Sequence, residues 1–343
     1  MQTTHRVVVD DARALSLPDD SVELVVTSPP YPMIELWDDV FRDLDPEVAS
    51  ALDAGDGPAA FRRMHAVLAT VWEEIERVLV PGGLACVNIG DATRTVDDTF
   101  RCYPNAAAVT QWFTDAGLVP LPPIRWRKPV NRATKFMGSG MLPPNAYVTL
   151  EHEHVLVFRN GSQRDFPPGD DRRYESAYFW EERNRWFSDL WEDVGSERQG
   201  LADDDLRERT AAFPVELPYR LINMFSVRGD TVLDPFWGTG TTTLAAMCAA
   251  RHSVGYERDT GFREVFDERV ADAPSLADEI VHERLASHEA FVADRVEAGN
   301  PPAYQASHYD TRVVTKQERD IRFRTIADVE ASPEGYRVTH APV

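Results

Sequence analysis

Cysteine and lysine are both scarce in this 343-residue chain. Its cysteines, Cys86, Cys102 and Cys248, are odd in number and show no paired metal-ligand spacing, so neither a disulfide framework nor a zinc ribbon is suggested. Lysine occurs only at Lys128, Lys135 and Lys316, so nearly all the positive charge is arginine. No apolar run approaches the roughly 20 residues of a membrane helix, and the opening MQTTHRVVVDDARAL carries neither a basic leader nor an apolar signal core. A cytoplasmic protein without a membrane partner is expected. Acid, by contrast, is abundant. A net charge of -21 would ordinarily repel a polyanion over about a Debye length. Arginine in place of lysine, with acid spread over the surface segments, looks like adaptation to high salt. At roughly 1 M salt the Debye length is only about 3 Å, and local contacts decide binding. The acidity therefore does not exclude nucleic acid.

The chain is long enough, at 43% hydrophobic residues, for one large α/β domain with insertions. Arg6 to Val9 and Val22 to Val26 are apolar runs around the acidic turn Pro18-Asp19-Asp20, which reads as β-turn-β. From Gly57 to Leu79, Phe61, Met64, Val67, Leu68, Val71, Ile75 and Val78 recur at helical spacing. Pro81-Gly82-Gly83 is expected to stop that helix before a strand over Leu84 to Ile89. A helix over Asn105 to Ala116, a strand over Val119 to Trp126 and another over Glu153 to Phe158 follow. Between Asn160 and Ala212 the pattern breaks into charged, Trp-rich sequence, which predicts an insertion rather than more sheet; whether Trp180, Trp186 and Trp191 recognise a target or fill a small core stays open. A βαβ unit resumes with strand Thr231 to Asp234, helix Thr241 to Arg251 and strand Ser253 to Glu257. Beyond it the chain reads as acidic helix to about Val296 and then as irregular. This alternation predicts an α/β fold with a mainly parallel sheet.

Two constellations carry chemistry. Strand Val22 to Val26 runs into Thr27-Ser28-Pro29-Pro30-Tyr31-Pro32, placing a hydroxyl, two rigid prolines and an aromatic ring at the carboxyl edge of the sheet, where ligands bind in open α/β folds. Prolines have no N–H, which leaves carbonyls here free to accept from an amino group, and Tyr31 can stack on a base. A stiff turn after a strand would show the same residues. The second constellation is Asp234-Pro235-Phe236-Trp237-Gly238-Thr239-Gly240-Thr241, a strand entering a glycine turn that opens a helix, with Glu257 at the next strand end about 20 residues on. There a helix N-terminus favours a carboxylate and an acid can accept ribose hydroxyls, as an adenosyl cofactor requires. No lysine follows the second glycine and no third glycine is present, which excludes a P-loop and the dinucleotide motif.

Together these residues resemble the β-class, permuted amino-methyltransferases of DNA, in which the S/D/N-P-P-Y motif precedes the cofactor motif, over about Asp10 to Glu257. Further ordered matches are Asp11-Ala12, Glu76 to Gly83, Glu153 to Phe158 and Phe213 to Leu217. The resemblance implies a Rossmann-like methyltransferase sheet with circularly permuted motif order. It implies a catalytic half over 1–159, an inserted target-recognition region over 160–212, a cofactor half over 213–265 and a C-terminal extension over 266–343. It implies S-adenosyl-L-methionine as cofactor, with Asp234, Phe236, Gly238, Gly240 and Thr241 at its methionine end, Glu257 at the ribose, Asp11 on the adenine side and Phe213 packing nearby. Asp11 could also be a turn acid, and Phe213 plain core.

Methylation of an exocyclic amine requires a base flipped out of the stack. Tyr31 would hold that base face-on while Ser28 Oγ and the Pro29 carbonyl accept from its N–H groups, with Pro30 stiffening the loop. Carbon-5 methylation needs a thiolate, but Cys86 and Cys248 fall in a core strand and a helix and read as small core residues. Serine in the first motif position is associated in the family with cytosine N4 over adenine N6. The SPPY motif and the salt-adapted composition together resemble the solitary CTAG modification methylases of halophilic archaea. For the double-stranded DNA partner, Arg125, Arg127, Lys128, Arg132 and Lys135 form a local basic run among Trp126, Asn131 and Phe136, readable as a phosphate-contacting segment or as a solvated loop. Adenine N6 methylation, RNA methylation and nucleic-acid binding without catalysis are the competing readings, and homodimerisation and a cognate nuclease stay open.

Overall fold

The computed structural model describes residues 1–128, 137–195 and 213–343. A ten-stranded mixed sheet runs through it, built in chain order from β1 (Gln2–Val9), β2 (Val22–Thr27), β3 (Leu79–Ile89), β4 (Val119–Arg127), β5 (His152–Arg159), β6 (Leu190–Trp191), β7 (Thr231–Asp234), β8 (His252–Glu257), β9 (Arg324–Ser332) and β10 (Gly335–Pro342). Their order across the sheet is β6-β4-β5-β3-β2-β7-β8-β1-β10-β9. The central five, β3-β2-β7-β8-β1, are mutually parallel, and β5 runs antiparallel between β3 and β4.

The central strands are apolar on both faces because helices cover both. In β2, Val22 and Val25 face one core while Leu24 and Val26 face the other. The first core takes Met64, Leu68, Val71 and Ile75 from α3 (Gly57–Val78), whose N-terminus is capped by Asp56 Oδ1 accepting from Ala59 N–H at 2.9 Å, and Phe113 from α4 (Asn105–Asp115). Ahead of α3 lie α1 (Asp38–Leu44) and α2 (Pro46–Asp53). The second core takes α5 (Glu216–Phe225), α6 (Thr241–Cys248), α7 (Gly261–Val270) and the start of α8 (Ala273–Glu297). Among the described residues no helix is long and apolar enough to cross a membrane.

Several local expectations are corrected. The runs around Pro18-Asp19-Asp20 do not pair as a β-turn-β unit: β1 and β2 are parallel and separated by β7 and β8, so the turn links strands on different sides of the sheet. Pro81-Gly82-Gly83 lies inside β3 rather than ahead of it. Leu79 already pairs with Val22, and the register slips to Leu24–Leu84 around the glycines, with Gly82 at φ +83°. The 160–212 stretch adds to the sheet after all, through β6 beside β4. Trp186 and Trp191 are buried there, with the Trp191 indole N–H donating to the Trp186 carbonyl at 3.0 Å, whereas Trp180 is exposed. The C-terminal residues are not irregular: β9 and β10 form a hairpin turned at Pro333-Glu334, and β10 pairs with β1. A Cβ at Gly335 would meet the His5 carbonyl oxygen at 2.1 Å, so this close strand approach needs glycine.

Candidate active site

After β2 the chain continues as β3 toward one edge of the sheet, and after β7 it continues as β8 toward the other. The neighbours β2 and β7 therefore form a topological switch point, where a crevice opens at the strand carboxyl ends. Two hydrogen bonds stitch the strand ends together: Thr27 Oγ1 donates to Asp234 Oδ1 at 2.7 Å, and Thr242 Oγ1 donates to the Val26 carbonyl at 3.3 Å. The two sequence motifs, joined here by residues 207 positions apart, thereby share one cleft of about 600 Å³. Ser28, Pro29, Pro30 and Tyr31 form one part of its wall. Asp234, Phe236, Gly238 and Thr241 form another, and Asp11, Phe213 and Glu257 complete it.

Gly240 is not itself a wall residue. At φ +74° it caps α6, and a Cβ there would meet Phe266 Cδ2 at 2.2 Å. Gly238, at φ +52°, is different: the nearest atom to an added Cβ is the Phe236 oxygen at 4.0 Å, so a side chain would project into open space along the wall. Trp237 turns inward, buried, and its Nε1 donates to Thr243 Oγ1 at 2.8 Å; its ring lies over Gly255, where a Cβ would meet Trp237 Cδ1 at 2.1 Å. The Glu257 carboxylate holds the loop by accepting from Gly238, Arg258 and Asp259 N–H at 2.8 to 3.0 Å. Burial raises its pKa. Asp11 accepts from the Arg13 guanidinium at 2.7 to 3.1 Å, which lowers its pKa. Phe213 also belongs to the second core, so its wall and core roles coexist.

Asp234 is buried, and desolvation pushes its carboxyl up to about 6 despite the neighbouring Thr27 and Thr242 hydroxyls and Phe236 N–H. Below the unfolded value near 4 the acid is neutral in both states; as pH rises through 6 the folded state must carry a desolvated charge, and the stability of the protonated form is lost. Asp234→Asn cannot ionise. Relative to the unsubstituted chain it is expected to gain roughly 3 kcal/mol between about pH 4 and pH 7, from two pKa units at about 1.4 kcal/mol each. Denaturant unfolding without cofactor measures this, and a difference constant with pH would contradict it.

On the Ser28–Tyr31 side the structure brings in two residues, Asn88 and Glu153, to which the sequence assigned no site role. Tyr31 is buried and its hydroxyl is a hub: it donates to Glu153 Oε2 at 2.9 Å, receives Asn88 Nδ2 at 2.8 Å and lies 3.0 Å from Ser28 Oγ. Asn88 Nδ2 also donates to Glu153 Oε2 at 2.7 Å. With the single Tyr31 hydrogen committed to Glu153, Ser28 donates to Tyr31, and both lone pairs of Ser28 Oγ remain for a substrate N–H. Burial, then the neighbouring carboxylate, raise the Tyr31 pKa far above its ordinary value, so the ring hydroxyl keeps its proton. The legible signal was Asn88, an amide within the apolar run Leu84 to Ile89; Glu153 stands between His152 and His154 at the start of β5, where no apolar run sets it apart.

The basic run looks different in space. Arg127 pairs with Glu151 and Glu192, 24 and 65 positions away, and Lys128 pairs with Glu153, so acids distant in the chain offset the charge that stands out in sequence. Arg125 is exposed on β4, and Arg132 and Lys135 lie outside the described residues. Cys86 and Cys248 are buried, and burial pushes the Cys248 thiol up to about 12 and raises Cys86 as well, which suits core residues rather than nucleophiles.

The DNA methylase family model matches residues 22–268, which spans both motifs. The chain belongs to the N6/N4 DNA methylase family. It is 49% identical over 326 residues to the Type II methyltransferase M.MthZI of Methanothermobacter thermautotrophicus, covering 94% of this chain and 90% of that one. It is 48% identical over 280 residues to the Type II methyltransferase M.MjaI of Methanocaldococcus jannaschii, covering 78% and 91%. A Thermus thermophilus protein, provisionally assigned as a DNA modification methylase and solved with S-adenosyl-L-methionine, superposes with a TM-score of 0.62 at 30% identity, covering 79% of this chain and 94% of that one. S-adenosyl-L-methionine fits this methylase cleft. The volume suits a ligand of that size, Gly238 leaves the wall clear, α6 directs its N-terminus at the loop and Glu257 lines the cleft.

Proposed function

We propose that the chain methylates the N4 amino group of cytosine in double-stranded DNA, with S-adenosyl-L-methionine as donor and CTAG as the site, as a Type II modification enzyme. The observation that carries the reading is the juxtaposition of Ser28 with the cofactor loop across the Thr27–Asp234 hydrogen bond. When bound, the cofactor supplies an electrophilic methyl group on a sulfonium. The chain supplies orientation. Ser28 Oγ, with its hydrogen held by Tyr31, and the Pro29 carbonyl accept from the amine and turn its lone pair toward the cofactor cleft. The Tyr31 ring braces the pocket from the side where Gly90 leaves room; a Cβ on Gly90 would come within 3.2 Å of Tyr31 Cε2.

Ser28 supports cytosine over adenine through the family association of serine at this position. The salt-adapted composition and the SPPY motif support CTAG, and the two Type II relatives support a modification role. The catalytic half over 1–159, the target-recognition role of 160–212, the cofactor half over 213–265 and the extension over 266–343 belong to the same proposal, as does DNA contact through Arg125 and the neighbouring basic residues. DNA from cells expressing the chain, digested to nucleosides, is expected to contain N4-methylcytosine, and single-molecule sequencing to place it in CTAG. N6-methyladenine alone would overturn the base assignment, and methylation in another sequence would overturn the site.

A further inference from the structure

Methylation of an exocyclic amine releases one proton. The amine enters with two N–H bonds and a lone pair, and it leaves with one N–H bond and one N–CH3 bond. As the nitrogen forms its bond to the methyl carbon, the methyl–sulfur bond breaks and its electron pair stays on sulfur, so the nitrogen carries a positive charge until a proton departs. A nitrogen whose lone pair is used in four bonds has lost its delocalisation into the ring and is a strong acid. Any oxygen base in hydrogen-bond contact can take the proton, so the fold decides the route.

The route visible here starts at Ser28 Oγ and runs inward. Ser28 Oγ to Tyr31 Oη is 3.0 Å and Tyr31 Oη to Glu153 Oε2 is 2.9 Å, with both hydrogens pointing along that direction because Tyr31 has only one to give. Asn88 Nδ2 touches both Tyr31 Oη and Glu153 Oε2 and so holds the two acceptors together. At the far end Glu153 Oε1 is paired with Lys128 Nζ, whose side chain is one-third exposed. Glu153 itself is buried, Tyr31 more so, so the chain of hydroxyls links the cleft to solvent through protein rather than through open water.

We propose that Glu153 receives the proton released by the methylated amine, relayed through the Ser28 and Tyr31 hydroxyls, and returns it to solvent beside Lys128. In one concerted shift the amine N–H passes to Ser28 Oγ, the Ser28 hydrogen to Tyr31 Oη and the Tyr31 hydrogen to Glu153 Oε2. Both hydroxyls end neutral, and Glu153 gains one proton and loses one negative charge. Ser28 is then the catalytic residue, and Tyr31, Glu153 and Asn88 are positioning residues that act through it. The proposal rests on the amine docking at Ser28, but it is indifferent to whether the base is cytosine or adenine. It also gives a reason for a buried carboxylate at the start of β5, where burial without a task would only cost stability.

The test is a double-mutant cycle read by single-turnover transfer of labelled methyl to plasmid DNA, with DNA and cofactor dissociation constants and melting temperatures measured alongside. Tyr31→Phe keeps the ring and leaves Glu153 paired with Asn88 and Lys128, so it is expected to fold. Glu153→Gln keeps the volume. Each is expected to lower the single-turnover rate by roughly 100-fold, the lower range for a positioned proton acceptor, with both dissociation constants within about threefold of the starting values. Tyr31→Phe combined with Glu153→Gln is expected to be no slower than the slower single variant, because one break already interrupts the relay. Glu153→Asp, which retains a carboxylate, is expected to recover part of the rate lost in Glu153→Gln. Tyr31→Phe at full rate, or losses that multiply in the double variant, would overturn the relay. Ser28→Ala separates the two levels: if it retains full rate, the docking reading fails, and if it is inactive while Tyr31→Phe is not, only the relay fails.

Discussion

Ser28→Ala is expected to lower the single-turnover rate of methyl transfer by roughly 1,000-fold while cofactor affinity stays within about threefold, as measured by label transfer and by calorimetric titration. The size follows from what one hydroxyl does in this geometry. Ser28 Oγ is the half-buried acceptor at the end of β2, with its hydrogen committed to Tyr31 and its lone pairs facing the cleft. On the proposed docking, alanine removes the group that holds the amine in line and leaves the Pro29 carbonyl alone to do so. The Tyr31 hydroxyl keeps Asn88 and Glu153, so the loop retains its other anchors and the cofactor wall across the Thr27–Asp234 bond is undisturbed. A variant that lost cofactor binding in parallel with rate would show that Ser28 holds the cleft together instead of the substrate.

Glu257→Ala is expected to weaken S-adenosyl-L-methionine binding by roughly 100-fold. A carboxylate offers about four acceptor positions, and three are taken by Gly238, Arg258 and Asp259 N–H. One good position is left, so in the proposed ribose contact Glu257 takes one hydroxyl strongly rather than both equally. A charge-assisted hydrogen bond of this kind contributes about 1.5 to 3 kcal/mol, or roughly 10- to 150-fold in affinity. Alanine also frees the Gly238 amide from its anchor, which places the expected loss toward the upper part of that range. Glu257→Gln is expected to be nearly as damaging, since its amide nitrogen would face backbone N–H donors. An affinity unchanged in both variants would mean that Glu257 serves the loop alone.

Much of the fold was legible because it depends on local pattern. The apolar spacing of Met64, Leu68, Val71 and Ile75 marks the buried face of α3, and the run of Val22 to Val26 marks a strand covered on both faces. The strand, glycine turn and helix of the second motif were legible for a related reason: Gly238, Gly240 and the acid of Glu257 stand at spacings that a strand, a turn and a second strand impose. What escaped was set by partners distant in the chain. β6 is two residues long, too short for any alternation to show, and it forms because β4 offers Arg125 and Trp126 as an open edge. The β9–β10 hairpin has no helix-like or strongly apolar pattern, and it is recruited by the unpaired edge of β1. The partners of the basic run escaped as well, because formal charge is counted along the chain, whereas Arg127 and Lys128 meet Glu151, Glu192 and Glu153 across strands.

Sequence alone determined the inventory and the order of parts: a hydroxyl with two prolines and a ring after one strand, a glycine turn after another, an acid after the next, and family membership with them. Each of these rests on residues a few positions apart, whose geometry the local backbone dictates. Only the tertiary structure decided that Tyr31 turns its hydroxyl into a buried cluster with Asn88 and Glu153, that Asp234 and Thr27 close the gap between the two motifs, and that Lys128 belongs to that cluster. Those relations join residues far apart in the chain, by 57 positions for Tyr31 and Asn88 and by 207 for Thr27 and Asp234. They exist because parallel strands bring chain-distant ends to a common edge, where a desolvated polar group must find a partner or lose stability.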